Sequence, residues 1–143
     1  MNNALGVLGL AKKAGLLEIG DESVNIASKR GKARLILSAA DASDASKRHA
    51  QYYAESGGSP WVQLEFTKSE LAEIIGRGAP GIVAVTDSGL AHSFLSKLAV
   101  SGMDGCENIL EELRNDADND ARRRREAAAR KRNNRTGRGR TIK

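Results

Sequence analysis

Apolar positions along this chain alternate between helical spacings and short continuous runs. Leu5, Leu8 and the Val7/Ala11 pair recur at helical intervals, and Gly15 follows, which predicts a helix over about residues 4–13 capped by Asn2 or Asn3. Leu16, Leu17 and Ile19 form a short strand that stops at Gly20. Asp21 opens a second helix to about Gly31, with Val24, Ala27 and Gly31 on one face and Lys29 and Arg30 leaving it. Residues 34–39, RLILSA, are nearly all apolar, as expected of a central strand covered on both faces.

The same alternation continues. Asp41 or Ser43 caps a helix over about residues 44–56, and Gly57-Gly58-Ser59-Pro60 is the clearest turn in the chain. Residues 61–64 read as a strand. Thr67 and Glu70 form a capping box that opens a helix over 68–75, carrying Leu71, Ile74 and Ile75 inward. A loop of glycine and proline over 76–81 leads to a second buried strand, 82–85. Asp87 or Ser88 then caps a helix over about 89–100, with Leu90, Phe94, Leu95 and Leu98 on its inner face. Alternating helices and strands predict an α/β fold, a three-layer α-β-α sandwich around a small four-stranded mixed sheet. Beyond Val100 the pattern fades. Ile109, Leu110 and Leu113 allow one or two amphipathic turns, and from Asn115 nothing apolar is larger than alanine until Ile142. No core can hold that segment, so a disordered basic C-terminal tail is expected, with nascent helix over 122–132.

Charge divides the chain more sharply than hydropathy does. Of 143 residues, 1–100 hold 11 Lys/Arg and 10 Asp/Glu, a net charge of +1. Residues 101–121 carry one basic and seven acidic side chains, net −6, whereas 122–143 carry eleven basic and one acidic, net +10. The expected organisation is a domain over 1–100, an acidic linker or short helix over 101–121, and an arginine-rich tail over 122–143. A basic tail is the electrostatic footprint of a polyanion, most often nucleic acid. The single cysteine, Cys106, cannot form an intramolecular disulfide, which points to a reducing, cytoplasmic setting. No segment reads as a signal peptide or a membrane span, so no membrane partner is expected.

Catalytic chemistry finds little support. His49 and His92 have no Cys, Asp or His neighbours at metal-ligand spacing, so structural or surface roles are expected for both, and no metal or cofactor. Cys106 lies in an acidic stretch that disfavours its thiolate. No serine sits in a nucleophile-elbow context. Thr86-Asp87-Ser88 reads as a helix cap. The 76–81 loop lacks the Gly-Lys-Ser/Thr ending of a phosphate-binding loop and precedes a strand. It is either a plain connection or a glycine-rich lip that lets a large ligand approach backbone amides.

One pattern resembles a known family. Gly20-x-x-x-Val24-x-x-Ala27-x-x-Arg30-Gly31-Lys32-Ala33-Arg34, followed by LILSAADAS, is similar to the kink-turn RNA-binding ribosomal-protein family, which includes archaeal and eukaryotic large-subunit proteins. Within it the chain looks most like the bacterial YlxQ-like branch. The opening LGLAKKAG, the 68–75 helix and the IVAVTD strand fit as well, so the resemblance spans about residues 3–100. It implies an α-β-α sandwich that docks on RNA by the start of its second helix. There the family carries Gly-x-Asn-Glu with a Lys three residues on, and those side chains meet sheared G·A pairs. It also implies that Arg77, Gly78, Ala79 and Pro80 cradle a flipped-out nucleotide.

The implied site is Gly20, Asp21, Glu22, Ser23 and Ile26, yet only the glycine matches the family's pattern. Glu22 stands at the Asn position, Ser23 at the Glu position and Ile26 at the Lys position. Each lost base contact is worth about 1–3 kcal/mol, so standard kink-turn recognition is expected to be weakened. Lys29, Arg30, Lys32 and Arg34 remain either as a basic edge for phosphate or as a solvated helix end. Arg122, Arg123, Arg124, Arg125, Arg130, Lys131 and Arg132 resemble arginine-rich RNA-binding segments and add electrostatic affinity. The expected function is non-catalytic RNA binding at structured or ribosomal RNA, with ribosome-associated or translation factors as further partners. The alternatives are a protein-interaction module that kept the fold, or a recognition subunit for an RNA-modifying enzyme.

Overall fold

Two strands at the centre of the sheet organise the molecule. The computed structural model describes residues 3–76, 80–100 and 107–141, with backbone only at 3, 100, 107 and 132–141. The elements run α1 (Asn3–Lys13), β1 (Leu17–Ile19), α2 (Asp21–Lys29), β2 (Leu35–Ser38) and α3 (Asp44–Gly57). They continue with β3 (Trp61–Gln63), α4 (Lys68–Ile75), β4 (Ile82–Val85), α5 (Ser88–Val100) and α6 (Glu107–Thr141). Sheet order is β1-β4-β2-β3, so the last strand in sequence inserts between the first two. β4 is antiparallel to both β1 and β2, and β2 is parallel to β3, which makes the sheet mixed as expected. β2 and β4 are buried along their whole length.

Strand alternation builds the three layers. Leu35 and Leu37 of β2, with Val83 and Val85 of β4, face a large core closed by α1, α4 and α5. Ile36, Ile82 and Ala84 face the opposite way, into a smaller core with Val24 and Ala27 of α2 and Ala50, Tyr53 and Ala54 of α3. The α2–α3 layer has mostly small side chains, and at its far end Gly57 sits tight against α2. A Cβ there would lie 3.0 Å from the Ser28 carbonyl oxygen.

Local chemistry sets the element ends. Ser43, not Asp41, caps α3, accepting from the Ser46 N–H at 3.1 Å. Asp41 instead accepts from the Lys68 N–H at 2.8 Å, tying the start of α4 to the end of β2. The Thr67–Glu70 capping box is present in both directions. Lys12 donates to the Ile75 carbonyl and so satisfies the end of α4 from α1. Asp87 caps α5 through the Leu90 N–H at 2.9 Å. Gly31 does not join the buried face of α2. It lies exposed just past the helix at φ +69°, where it turns the chain toward β2.

The C-terminal region differs from the expectation of a disordered tail. Its backbone is one helix from Glu107 to Thr141, and Leu113, 0% exposed, joins the large core with Ile109 and Leu110 beside it. The segment expected over 101–121 as an acidic linker or short helix is helical from Glu107 and carries on into the arginine run; residues 101–106, Cys106 among them, lie outside the described residues. Ala127 to Ala129 and the arginines favour helix, and acidic residues precede basic ones, an order that suits the helix dipole. From Arg122 to Lys131 every side chain except the half-buried Ala129 is exposed, so no core holds that stretch. Among the described residues, no helix is long and apolar enough to cross a membrane.

Candidate nucleic-acid interface

β1 ends at Gly20, whose φ of +96° is left-handed territory that suits a residue without a Cβ. Its N–H donates to the Ile82 carbonyl at 3.0 Å, which fixes the start of α2 to the sheet. Gly20 offers no side-chain cap, so the first-turn amides of α2 are left to solvent or a ligand.

Asp21, the first residue of α2, does not turn toward those amides. Its carboxylate accepts a hydrogen bond from the Tyr53 hydroxyl and lies 2.8 Å from His49 Nδ1, both on α3. Burial alone would push the Asp21 carboxyl up. The hydrogen bonds from Tyr53 and His49 outweigh it together and hold the group below its ordinary value. Burial, then the bond and charge of Asp21, push the Tyr53 phenol up to about 12. His49 and Tyr53 are four residues apart, so one face of α3 presents both rings to α2. The sequence reading gave His49 a structural or surface role, and the structure places it on Asp21. It missed Tyr53 as a partner, although the i, i+4 spacing of the two rings was the available signal.

The outer face of α2 borders a cleft of about 510 Å³. Ser23, Ile26 and Ala27 of α2 line it, with Glu18 of β1 and Leu16 just before that strand. Arg30, Lys32, Arg34 and Thr86 line it as well. Ile26, where the family pattern has Lys, is 44% exposed in this cleft. Glu22 and Lys29 are exposed on the same helix but do not line it. Thus Ser23, Ile26, Arg30 and Lys32 come together, while Asp21 turns to α3 and Gly20 is held to β4 through Ile82. Of the expected nucleotide-cradling loop, Arg77, Gly78 and Ala79 lie outside the described residues, and Pro80 is buried.

The arginine run meets the cleft through one carboxylate. Asp120 of α6 lies 3.7 Å from the Arg34 guanidinium, accepts from Ser88 Oγ at 3.2 Å, and accepts from Arg123 at 2.9 Å. Arg122 donates to Asn119 at 3.5 Å. Arg124, Arg125, Arg130 and Lys131 are exposed, and the side chain of Arg132 lies outside the described residues. Burial of Leu113 supplies about 1.5–3 kcal/mol toward docking α6. The partly exposed Arg34–Asp120 pair adds about 0–1 kcal/mol and chiefly sets the direction of the helix. Sequence reasoning missed this junction. Ser88, offered there as an alternative cap for α5, instead anchors Asp120. Among the described residues, no group of three or more His, Cys, Asp or Glu side chains could hold a metal ion.

No family model matches the chain, and no curated protein matches it. Solved structures do. A protein of unknown function from Bacillus halodurans is similar at 24% identity and TM-score 0.63, over 69% of this chain and 99% of that one. The Giardia lamblia 15.5kD RNA binding protein is similar at 18% identity and TM-score 0.54, over 66% of this chain and 81% of that one. At these identities the likeness is one of fold, and one of the two neighbours is an RNA-binding protein.

Proposed function

We infer that this is a non-catalytic, cytoplasmic RNA-binding protein of the kink-turn family's fold, close to the YlxQ-like branch, acting on structured or ribosomal RNA. The observation that carries this reading is the set of basic side chains lining the cleft, Arg30, Lys32 and Arg34, joined at Asp120 to an exposed arginine run. A fold shared with an RNA-binding protein supports it. In this reading α2 supplies the docking edge and α6 supplies most of the phosphate contacts. Ribosome-associated partners follow from the choice of RNA rather than from a separate surface.

The test is equilibrium binding of structured RNA across a salt series, with the full chain and with a chain ending at residue 121. Each phosphate contact steepens the salt slope by about 0.7–0.9. The full chain is expected to bind with a steep slope, and the shortened chain more weakly with a shallower one. Equal affinity of the two chains removes the tail from the account. One observation favours a protein-interaction module instead: Asp120 already partners both Arg34 and Arg123, as when an acidic segment masks a basic one. A full chain without salt-sensitive RNA affinity would favour that second reading.

A further inference from the structure

The cleft has one feature that a plain basic edge does not need. Among its polar and charged lining groups, Ser23, Glu18, Arg30, Lys32 and Arg34, the side chain of Ile26 stands open to solvent at 44% exposure. An exposed apolar side chain among cations fits a base face next to its own backbone. In a duplex the base faces are stacked away, so such a side chain has no base face to meet. A volume of about 510 Å³ gives room for a single base to enter.

Asp120 shows where such a strand goes next. Its carboxylate sits between Arg34, which lines the cleft, and Arg123, which opens onto the exposed arginines of α6. Leu113 holds α6 to the core, and Ser88, 1% exposed, fixes Asp120 from below. The two guanidiniums are therefore kept side by side, and basic groups continue from the cleft onto the helix.

We propose that the β1–α2 cleft and the start of the arginine run form one continuous track for single-stranded RNA, with an unpaired base on Ile26 and Asp120 as the joint between the two parts. This rests on the RNA-binding reading and adds a path and a preference to it. The strand leaves the α2 face at Arg30, passes Arg34 and runs onto α6 at Arg123. Asp120 is a positioning residue: it touches no RNA and orients the helix whose arginines do.

The test uses the full chain with a photocrosslinking benzophenone side chain in place of Ile26 or of Arg123, both exposed positions. The probes are an oligouridylate and a perfect RNA hairpin of equal length. Both positions are expected to label the oligouridylate, at a fixed spacing along one strand, and position 26 to leave the hairpin stem unlabelled. In Asp120→Ala the spacing between the two labels is expected to scatter. Binding variants provide a second readout. Arg30→Glu is expected to weaken oligouridylate binding much more than Arg48→Glu, which makes the same charge change on exposed α3 outside the cleft. Equal weakening by the two variants, or RNA binding without labelling from position 26, overturns the track and leaves the RNA-binding reading standing. A fixed spacing retained in Asp120→Ala overturns the joint. No RNA binding by the unaltered chain removes both readings.

Discussion

Placing the kink-turn family's residues at the start of α2 is the sharpest perturbation of the proposed RNA-binding face. The variant is Glu22→Asn with Ser23→Glu and Ile26→Lys. Glu22 and Ile26 are exposed and Ser23 is half-buried, and none belongs to either core. Surface changes of this kind usually alter stability by less than about 0.5 kcal/mol each, so the fold tolerates them. The first two changes cancel in charge and the third adds one positive charge. A general electrostatic gain is therefore confined to about one phosphate contact, and a straight duplex RNA measures it. Recognition of a kink-turn draws on more. Each base contact is worth about 1–3 kcal/mol, and contacts to a shared RNA do not add fully, so the minimum expected is the value of one contact. At about 1.4 kcal/mol per factor of ten, kink-turn affinity should rise at least about fivefold beyond any rise for the duplex. A gel-shift titration of both RNAs against the unaltered and triple-substituted chains measures the difference. An equal change for the two RNAs would refute the reasoning, since α2 would then not face RNA in the family's manner.

Further predictions follow from the packing and the charge network. Asp21's carboxyl is held below its ordinary value in the folded chain, so its stabilising share is complete above the unfolded value and is lost as pH falls through the folded one. Tyr53→Phe removes one of the bonds responsible, so urea midpoints of the two proteins should converge as pH drops through the carboxylate range; parallel curves would contradict this. Leu113→Ala removes a side chain that is 0% exposed, at a cost of about 2–5 kcal/mol, and should release α6 while the sheet stays folded. Hydrogen exchange should then rise in α6 and stay slow in β2 and β4, and global unfolding would speak against a separately docked helix. Gly57→Ala places a Cβ 3.0 Å from the Ser28 carbonyl oxygen, a backbone atom that cannot swing aside. Overpacking of about 1–3 kcal/mol should outweigh a helix-propensity gain of at most about 1 kcal/mol, so Tm should fall, and an unchanged or higher Tm would show that α2 and α3 separate freely.

The sheet and its layers are legible in the chain because strand burial writes itself into consecutive residues. Leu35-Ile36-Leu37 and Ile82-Val83-Ala84-Val85 leave no polar face, and the structure puts these two segments at the centre. The Thr67–Glu70 capping box is equally local. What escapes is whatever depends on a partner distant in sequence. Asp41 looks like a cap for the helix that follows it, and its true acceptor role lies at Lys68. Gly31 repeats at the spacing of Val24 and Ala27, but its positive φ takes it out of the helix. The docking of α6 was hidden for the same reason. Only Leu113 and its two neighbours carry apolar signal, and Asp120 finds Arg34 and Ser88 only once the fold is built. In the candidate site, the departures at Glu22, Ser23 and Ile26 are visible by residue type alone. That Ser23 and Ile26 share a cleft with Arg30 and Lys32, whereas Glu22 lies outside it, needed the fold.

The central claim is that this protein meets RNA through α2 and the arginine run. Its most direct test is crosslinking of the full chain to RNA in living cells, followed by sequencing of the bound fragments. The account predicts fragments drawn from structured or ribosomal RNA, with recovery that falls sharply when residues 122–143 are removed. Recovery of RNA no greater than from a crosslinked protein that binds none would contradict it.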